Sequence, residues 1–479
     1  MTQKVHPRLV KCNYHKNIPN DERMHKLMLH QIEPSEKVIS QVCKLFKALK
    51  ISQLLHAGNI KKSCGISVQE VFKFIFLLAL FGKNQYRFLE SKRGQGLPRK
   101  DVYYNFLNNP HYAWRRFLLM LASKVTDTFD HLTSDKRTRA FIIDDSPVAR
   151  NRSKKAELLA RVFDHNQQSY IKGFNMLALG WTDGYSFVPV DFAMLSSAKE
   201  TNRYNEASTS IDKRTHGFKR RLEAVMQKPD VVIKLIKNAL NIGITADYVL
   251  MDTWFTNEPM IKELRVIGLH MIGMIKKGNQ RYRYNGQLMK LDELRKYLYA
   301  KNKGEIFGSL LCETKNGIPV KLVFIRNRNK KSEWLTIAST DLSLDDKEIV
   351  RIYGMRWEIE VFFKASKSLL KLGTEYQSRS YDMLIAHTTI VFSRYILLEW
   401  ERRHNQDSRS LGGLFFLFCE EIQDLDYETA LRKLMFYCTM LLEHVPKKLA
   451  KTVSCQVMDW IASLPLYIQR LFGDFCTES

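Results

Sequence analysis

Two short apolar runs that stop on aspartate constrain this chain more than any other feature of it. They are Ala140-Phe-Ile-Ile143, followed by Asp144-Asp145-Ser146-Pro147, and Asp247-Tyr-Val-Leu-Met-Asp252. Runs this short and apolar, bounded by turn residues, read as buried strands, and each delivers a carboxylate at its C-terminal tip. Between them lie two more strand candidates, Phe174 to Trp181 and Tyr185 to Phe192, separated by Thr182-Asp183-Gly184, whose Asp-Gly is a hairpin signal. A basic helical segment at 212–241 leads to the second acid; a helix from Glu258 to Val266 and a strand from Leu269 to Ile275 come after it. Strand, hairpin, helix, strand, helix, strand predicts a mixed α/β sheet with helical cover.

The flanks read differently. Residues from about 20 to 130 are expected to be helical: Ser67-Val-Gln-Glu70 is a capping-box pattern just ahead of the apolar stretch Val71 to Phe81. Within this leader, Gly94 to Leu118 joins a Gly/Pro turn to a helix with Lys100, Tyr103, Tyr104 and Asn105, then Arg115 and Arg116. That pattern suits a DNA groove or backbone, and equally an amphipathic helix pair with a solvated basic face. From 278 to 340, Asn285-Gly286 and Asn316-Gly317 are both type I′ hairpin signals and Trp334 to Ser339 is a third strand, so this stretch reads as a β-rich insertion. Leu344 opens a long helical stretch through Tyr353, Arg356 and Glu360 to Lys367 and beyond. The resulting division is a helical DNA-binding region over 1–135, a core over 136–277 and 342–405 split by an insertion at 278–341, and a helical C-terminal region over 406–479. Apolar residues of that last region (Leu431, Leu434, Met435, Cys438, Leu441, Leu442) either close the core or form a dimer interface.

Lys plus Arg number 75 against 50 Asp plus Glu, a net charge of +25. Such an excess attracts polyanions over a Debye length, which puts nucleic acid first among partners. The longest apolar run, Phe74 to Phe81, is far short of the roughly 20 residues a bilayer span needs, so no integral membrane protein is expected. The N-terminal MTQKVHPRLVKCNYHK lacks the apolar middle of a secretion signal, and export is not expected either. Eight cysteines without a C-x-x-C pair argue against a disulfide framework or a Cys-rich zinc site. Cys12, His15, His25 and His30 are spaced poorly for metal ligation and read as solvated tail residues.

Three carboxylates stand out by position: Asp144, Asp252 and Glu360. Carboxylates converging at one sheet edge suit hard cations such as Mg²⁺, and a pair of such ions can activate a hydroxyl and stabilise the leaving oxygen of a phosphodiester. Tyr353, Arg356, Glu360 and Lys367, at offsets 0, 3, 7 and 14, are expected within roughly 60° of one another on one helix face, whereas Glu358 points away. The bland reading of that stripe is an i, i+4 salt bridge between Arg356 and Glu360.

YGMRWEIEVFFKASK, Tyr353 to Lys367, satisfies Y-x2-R-x3-E-x6-K, and the chain here resembles the insertion sequence four family of bacterial cut-and-paste DDE transposases. The likeness extends over residues 139 to about 395: Asp-x-Ser at 144–146, YVLMDTWFTN around Asp252, the β-rich insertion, and EWLTIAST ahead of the helix. The resemblance implies a ribonuclease H-like catalytic core in which Asp144, Asp252 and Glu360 bind two Mg²⁺ ions, with Mn²⁺ as a substitute. It also implies that Tyr353, Arg356 and Lys367 contact phosphates at the transposon end. Partners implied are double-stranded DNA, both transposon ends and target, and a second copy of the chain on paired ends, in the bacterial cytoplasm at the nucleoid. Family members nick the element's end, form a hairpin, reopen it with water and join the 3′ end to target DNA. Aromatic residues hold a flipped base during the hairpin step, for which Trp254, Tyr282 and Tyr284 are candidates, core packing being the other role for Trp254. Alignment with the family on Ser146 selects Asp144 as the first ligand; strand alternation turns Asp144 and Asp145 to opposite sides, so only one of the two can serve. No DNA-recognition motif is readable in the leader. Two other readings stand beside the transposase: a metal-dependent nuclease of the same fold that cuts without joining, and an inactive DNA-binding derivative.

Overall fold

The computed structural model describes residues 41–464 except 92–96, 133–136, 166, 299–303, 328–329, 331, 377, 421–433, 435–439, 441 and 443. Cys12, His15, His25 and His30, and with them Leu431, Met435, Cys438 and Leu441, lie outside the described residues.

The leader is helical, with α1 (Gln41–Ala48), α2 (Ile51–Ala57), α3 (Val68–Leu77), α4 (Gln85–Leu89), α5 (Lys100–Leu107) and α6 (Trp114–His131). Ser67 caps α3, its hydroxyl accepting from the Glu70 amide at 3.2 Å, which satisfies one otherwise orphaned N–H. On α6 the buried residues Trp114, Phe117, Leu118, Leu121, Val125 and Phe129 recur at helical spacing, so one face is sealed against the rest of the molecule.

The core sheet begins with β1 (Ala140–Ala149), β2 (Ala160–Asp164), β3 (Ser169–Thr182) and β4 (Phe187–Leu195). After α7 (His216–Ala224) and α8 (Lys228–Asn241) come β5 (Tyr248–Met251), α9 (Glu258–Ile267) and β6 (His270–Ile275). β3 pairs antiparallel with β1 along one edge; along its other edge it takes β2 and then β4. β1, β5 and β6 run parallel. The result is a ribonuclease H-like core, an antiparallel hairpin set continued by parallel strands through helical crossovers. β5 carries Val249, Leu250 and Met251 fully buried, the near-continuous apolar pattern of a parallel strand covered on both faces.

The stretch read as an insertion holds β7 (Arg281–Tyr284), β8 (Gln287–Lys290), the short α10 (Leu291–Leu294), β9 (Ile306–Thr314), β10 (Pro319–Arg326) and β11 (Trp334–Ser339). These strands prolong the core sheet: β11 pairs with β6, giving the order β2-β3-β1-β5-β6-β11-β10-β9-β7-β8. Asn285 and Gly286 take φ of 48° and 80°, as a type I′ hairpin requires. The second expected I′ turn is different. Among Lys315–Ile318 only Gly317 has positive φ (79°), and its amide bonds to Thr314, so the loop is a turn closed by a left-handed glycine.

The helical stretch after β11 is interrupted. α11 (Asp346–Gly354) and α12 (Trp357–Ser368) are separated at Met355–Arg356, where amides bond three residues back rather than four. Gly354, a poor helix former, stands at the break. The single-helix face expected for Tyr353, Arg356, Glu360 and Lys367 is therefore corrected: Tyr353 belongs to α11 and the other three to α12 and its N-terminal joint. α13 (Tyr381–His404) is buried along nearly its whole length, between the leader helices and the sheet. Its Arg394, itself 2% exposed, donates to the carbonyls of Ile75 (2.5 Å) and Phe76 (2.9 Å) just at the end of α3 and to Glu375, which ties leader to core. The last described helix is α14 (Lys447–Ala462). Among the described residues no helix is long and apolar enough to cross a membrane.

Candidate active site

β1 does not end at its acids as the sequence suggested; it runs on to Ala149 against β3. What ends is its partner, because parallel pairing with β5 stops at Ile143 and Met251. Asp144 and Asp252 are thus the next residues on two neighbouring strands. Asp252 is held by an Asx turn, its Oδ1 accepting from the amides of Trp254 (2.9 Å) and Phe255 (3.2 Å).

Alternation along β1 sorts the side chains to two faces. On one, Asp144 accepts from Arg356 at 3.0 Å and Ser146 accepts from the Lys367 ammonium at 2.7 Å. On the other, Asp145 is ion-paired with Lys228 at the start of α8. The same Lys228 ammonium lies 4.3 Å from the ring centroid of Trp254.

Arg356 joins the first acid to the third. One guanidinium nitrogen reaches Asp144 and another reaches Glu360 at 2.5 Å. The i, i+4 pair is therefore real, with Glu360 39% exposed, but its Arg356, only 15% exposed, also binds the equally buried Asp144, 212 residues away in sequence. Burial pushes the Asp144 carboxyl up to about 7; Arg356 pulls against that rise and Asp252 adds to it. Burial also lifts the Tyr353 hydroxyl to about 12, with Arg356 opposing and Asp252 and Asp144 adding. For Arg356, burial disfavours the cation but Tyr353, Asp144 and Glu360 together hold its pKa above the ordinary value. Lys367 is lowered by burial, with Asp164 opposing. Asp144, Asp252, Tyr353, Arg356 and Glu360 thus share one electrostatic neighbourhood, and Lys367 stands one strand repeat along it at Ser146.

The donor set is made of hard carboxylate oxygens, which suits Mg²⁺ or Mn²⁺ in chemistry. Among the described residues no three carboxylate, imidazole or thiol groups are set together as the ligands of one ion; the charge between Asp144 and Glu360 is met by the Arg356 guanidinium. The donors fit a hard cation, and the position of Arg356 means that it must yield one or both carboxylates for such an ion to enter.

The aromatic candidates separate. Trp254 is 50% exposed, so core packing is not its role. Tyr282, at 1% exposed inside the β7–β9 layer, cannot stack a base, and Tyr284 packs edge-on against Tyr297. Sequence reasoning missed Trp357, exposed at 63% beside Arg356, although it stands inside the motif itself. It also missed Lys228, whose pairing with Asp145 spans 83 residues and leaves no local pattern. In the leader, Tyr103 is buried and Arg115 is spent on Asp191 and Glu223, so neither reads DNA; Lys100, Tyr104 and Arg116 face outward.

Residues 98–293 match the DDE superfamily endonuclease model and residues 223–393 match the transposase DDE domain model. Together these matches support a DDE transposase. None of the curated proteins matches the chain. Among solved structures, the Drosophila P element transposase strand transfer complex is similar at 10% identity over 86% of this chain and 93% of that one, with a TM-score of 0.22.

Proposed function

We propose that this chain is a transposase of the insertion sequence four type, which cuts an element out at its terminal inverted repeats and joins the 3′ ends to target DNA. The observation that carries the reading is the placement of Asp144 on β1 and Asp252 just past β5, each directly after the last residue pair of the two strands, with Arg356 linking Asp144 to Glu360. Asp144, Asp252 and Glu360 would hold the divalent cations, which when bound supply Lewis-acid stabilisation to the attacking and leaving oxygens of an in-line displacement at phosphorus.

The chain's own groups do the rest. Lys367, its ammonium at Ser146, and Arg356, once it yields a carboxylate, offer cationic donors for the phosphates on either side of the scissile bond. The Tyr353 hydroxyl stays protonated and can donate to a phosphate oxygen. Trp254, half exposed with the Lys228 ammonium over its ring, lies two residues after Asp252 and would stack an unpaired base in a hairpin intermediate. One site serves successive steps because only the nucleophile changes: water, then the freed 3′-hydroxyl, then water, then the 3′-hydroxyl on target DNA. We assign the described helices of 1–135 to DNA binding and the core over 136–277 and 342–405 to catalysis, with two copies acting on paired ends.

The test is strand cleavage and joining with a labelled duplex carrying the element's end. Asp252→Ala and Glu360→Ala should each abolish nicking while end binding stays within a few-fold of the parent. Undiminished nicking by either variant refutes the assignment, and nicking by the parent without joining to plasmid turns the reading into a plain nuclease.

A further inference from the structure

A recess of about 360 Å³, lined by none of the three acids, lies where the N-terminal part of α6 and α7 meet the C-terminal half of α8. Its walls carry Arg116, His216, Lys219, Arg220, Lys234 and Asn238. Its floor is an ion cluster in which Arg115 binds Asp191 and Glu223, and Lys234 binds Glu223 at 2.9 Å. The lining therefore holds five cations (Arg115, Arg116, Lys219, Arg220, Lys234) against two carboxylates (Asp191, Glu223).

Both carboxylates are buried and already paired, so they do not neutralise what faces outward. Arg116 and Lys219 are exposed, and among the described residues neither pairs with an acid. His216 has a lowered pKa, from burial first and then from the positive charges of Arg220, Lys219, Arg116 and His111. Arg220 is 7% exposed and spends two of its nitrogens on Asp382 and the Tyr112 carbonyl, while its Nε has no hydrogen-bond partner. The N-terminal end of α7, nine residues long, adds its dipole. Unneutralised cations on α6 and α7, an imidazole and a buried donor without an acceptor together suit a tetrahedral oxyanion, and the volume leaves room for an attached sugar.

We propose that this recess is a second phosphate-binding site, one that grips the DNA backbone at a distance from the cleavage centre. The choice of DNA as the source rests on the transposase reading; the affinity for phosphate does not. Lys234 is six residues along α8 from Lys228, the partner of Asp145, or about 9 Å at the helical rise.

The experiment uses the full chain with Arg116→Ala and Lys219→Ala combined, both exposed and outside the ion cluster, so the melting temperature should hold. Affinity for a labelled duplex is measured across salt concentrations. The slope of log K against log salt should lose about 0.9 for each phosphate contact removed, up to about 1.8 for the pair. In a second arm, inorganic phosphate is titrated against the full chain while the His216 ring resonances, assigned with His216→Gln, are followed. A saturable shift in the parent that is lost in the double variant supports the site. If phosphate shifts His216 but the DNA slope is unchanged, the recess takes a free anion and its role on DNA is overturned. If neither readout moves, the site itself is refuted. A parent that fails to bind DNA at all fails the transposase reading, and the phosphate arm still decides the recess.

Discussion

Two adjacent aspartates, Asp144 and Asp145, differ in the structure only by the face of β1 they occupy, and that difference predicts opposite phenotypes for one chemical change. In Asp144→Asn the side chain still accepts from Arg356, and Arg356 keeps Glu360, so stability should stay within about 1 kcal/mol of the parent. What it loses is a carboxylate facing the proposed metal. Metal-derived stabilisation of transition-state charge is worth several kcal/mol; about 4 kcal/mol lost slows cleavage by a factor on the order of 10³. Asp145→Asn instead breaks the ion pair with Lys228, whose two side chains are 22% and 21% exposed, at a cost of about 1 kcal/mol in stability. It leaves the Asp144 face untouched, so cleavage should fall by less than about tenfold. The assay is single-turnover nicking of an end-labelled duplex with Mg²⁺, alongside thermal melts of both variants. Equal loss of cleavage in the two variants, or full cleavage in Asp144→Asn, would refute the division of β1 into a chemical face and a structural face.

Two further outcomes are expected. Arg115→Met should destabilise the fold by about 3–5 kcal/mol, because Asp191 (0% exposed) and Glu223 (4%) lose their shared guanidinium. Burial already raises the Asp191 pKa and Arg115 opposes that rise, so the variant's folded state holds its proton to higher pH than the unfolded chain does. A raised folded-state pKa on an acid contributes stability at low pH that is lost as pH rises; urea unfolding should therefore show the deficit widening toward neutral pH and narrowing on acidification, and a pH-independent deficit contradicts this account. Trp254→Ala should melt within about 1 kcal/mol of the parent, since the ring is half exposed, and should slow hairpin formation more than first-strand nicking; equal effects on both steps in a denaturing gel time course argue against a stacking role.

The elements were legible where periodicity was strong and local. Ala140–Ile143, Tyr248–Met251 and Trp334–Ser339 show a strand's composition and became strands, and Asn285-Gly286 formed the turn its chemistry demands. The acids could be singled out because each follows such a run or stands in a spaced motif. The errors have physical causes. A glycine inside a helical pattern broke the presumed single helix, and Asn316-Gly317 took a different turn because only its glycine needed positive φ. β1 outran its acids because strand ends are set by partners, and β3 continues alongside it after β5 has stopped. Lys228, the Arg115 cluster and the Arg394 tie all join residues far apart in sequence, where no spacing rule reaches.

The pairing of β11 with β6 also determines how far the chain can be trimmed. A clean excision of 281–339 would strip β6 of its neighbour along Ile272–Ile275 and leave a row of unsatisfied amides and carbonyls on the open flank of a parallel sheet. Such a bare margin is a template for joining other chains, so the shortened protein should clump rather than survive as a minimal nuclease. The segment read as an insertion is in this sense a required border of the catalytic layer.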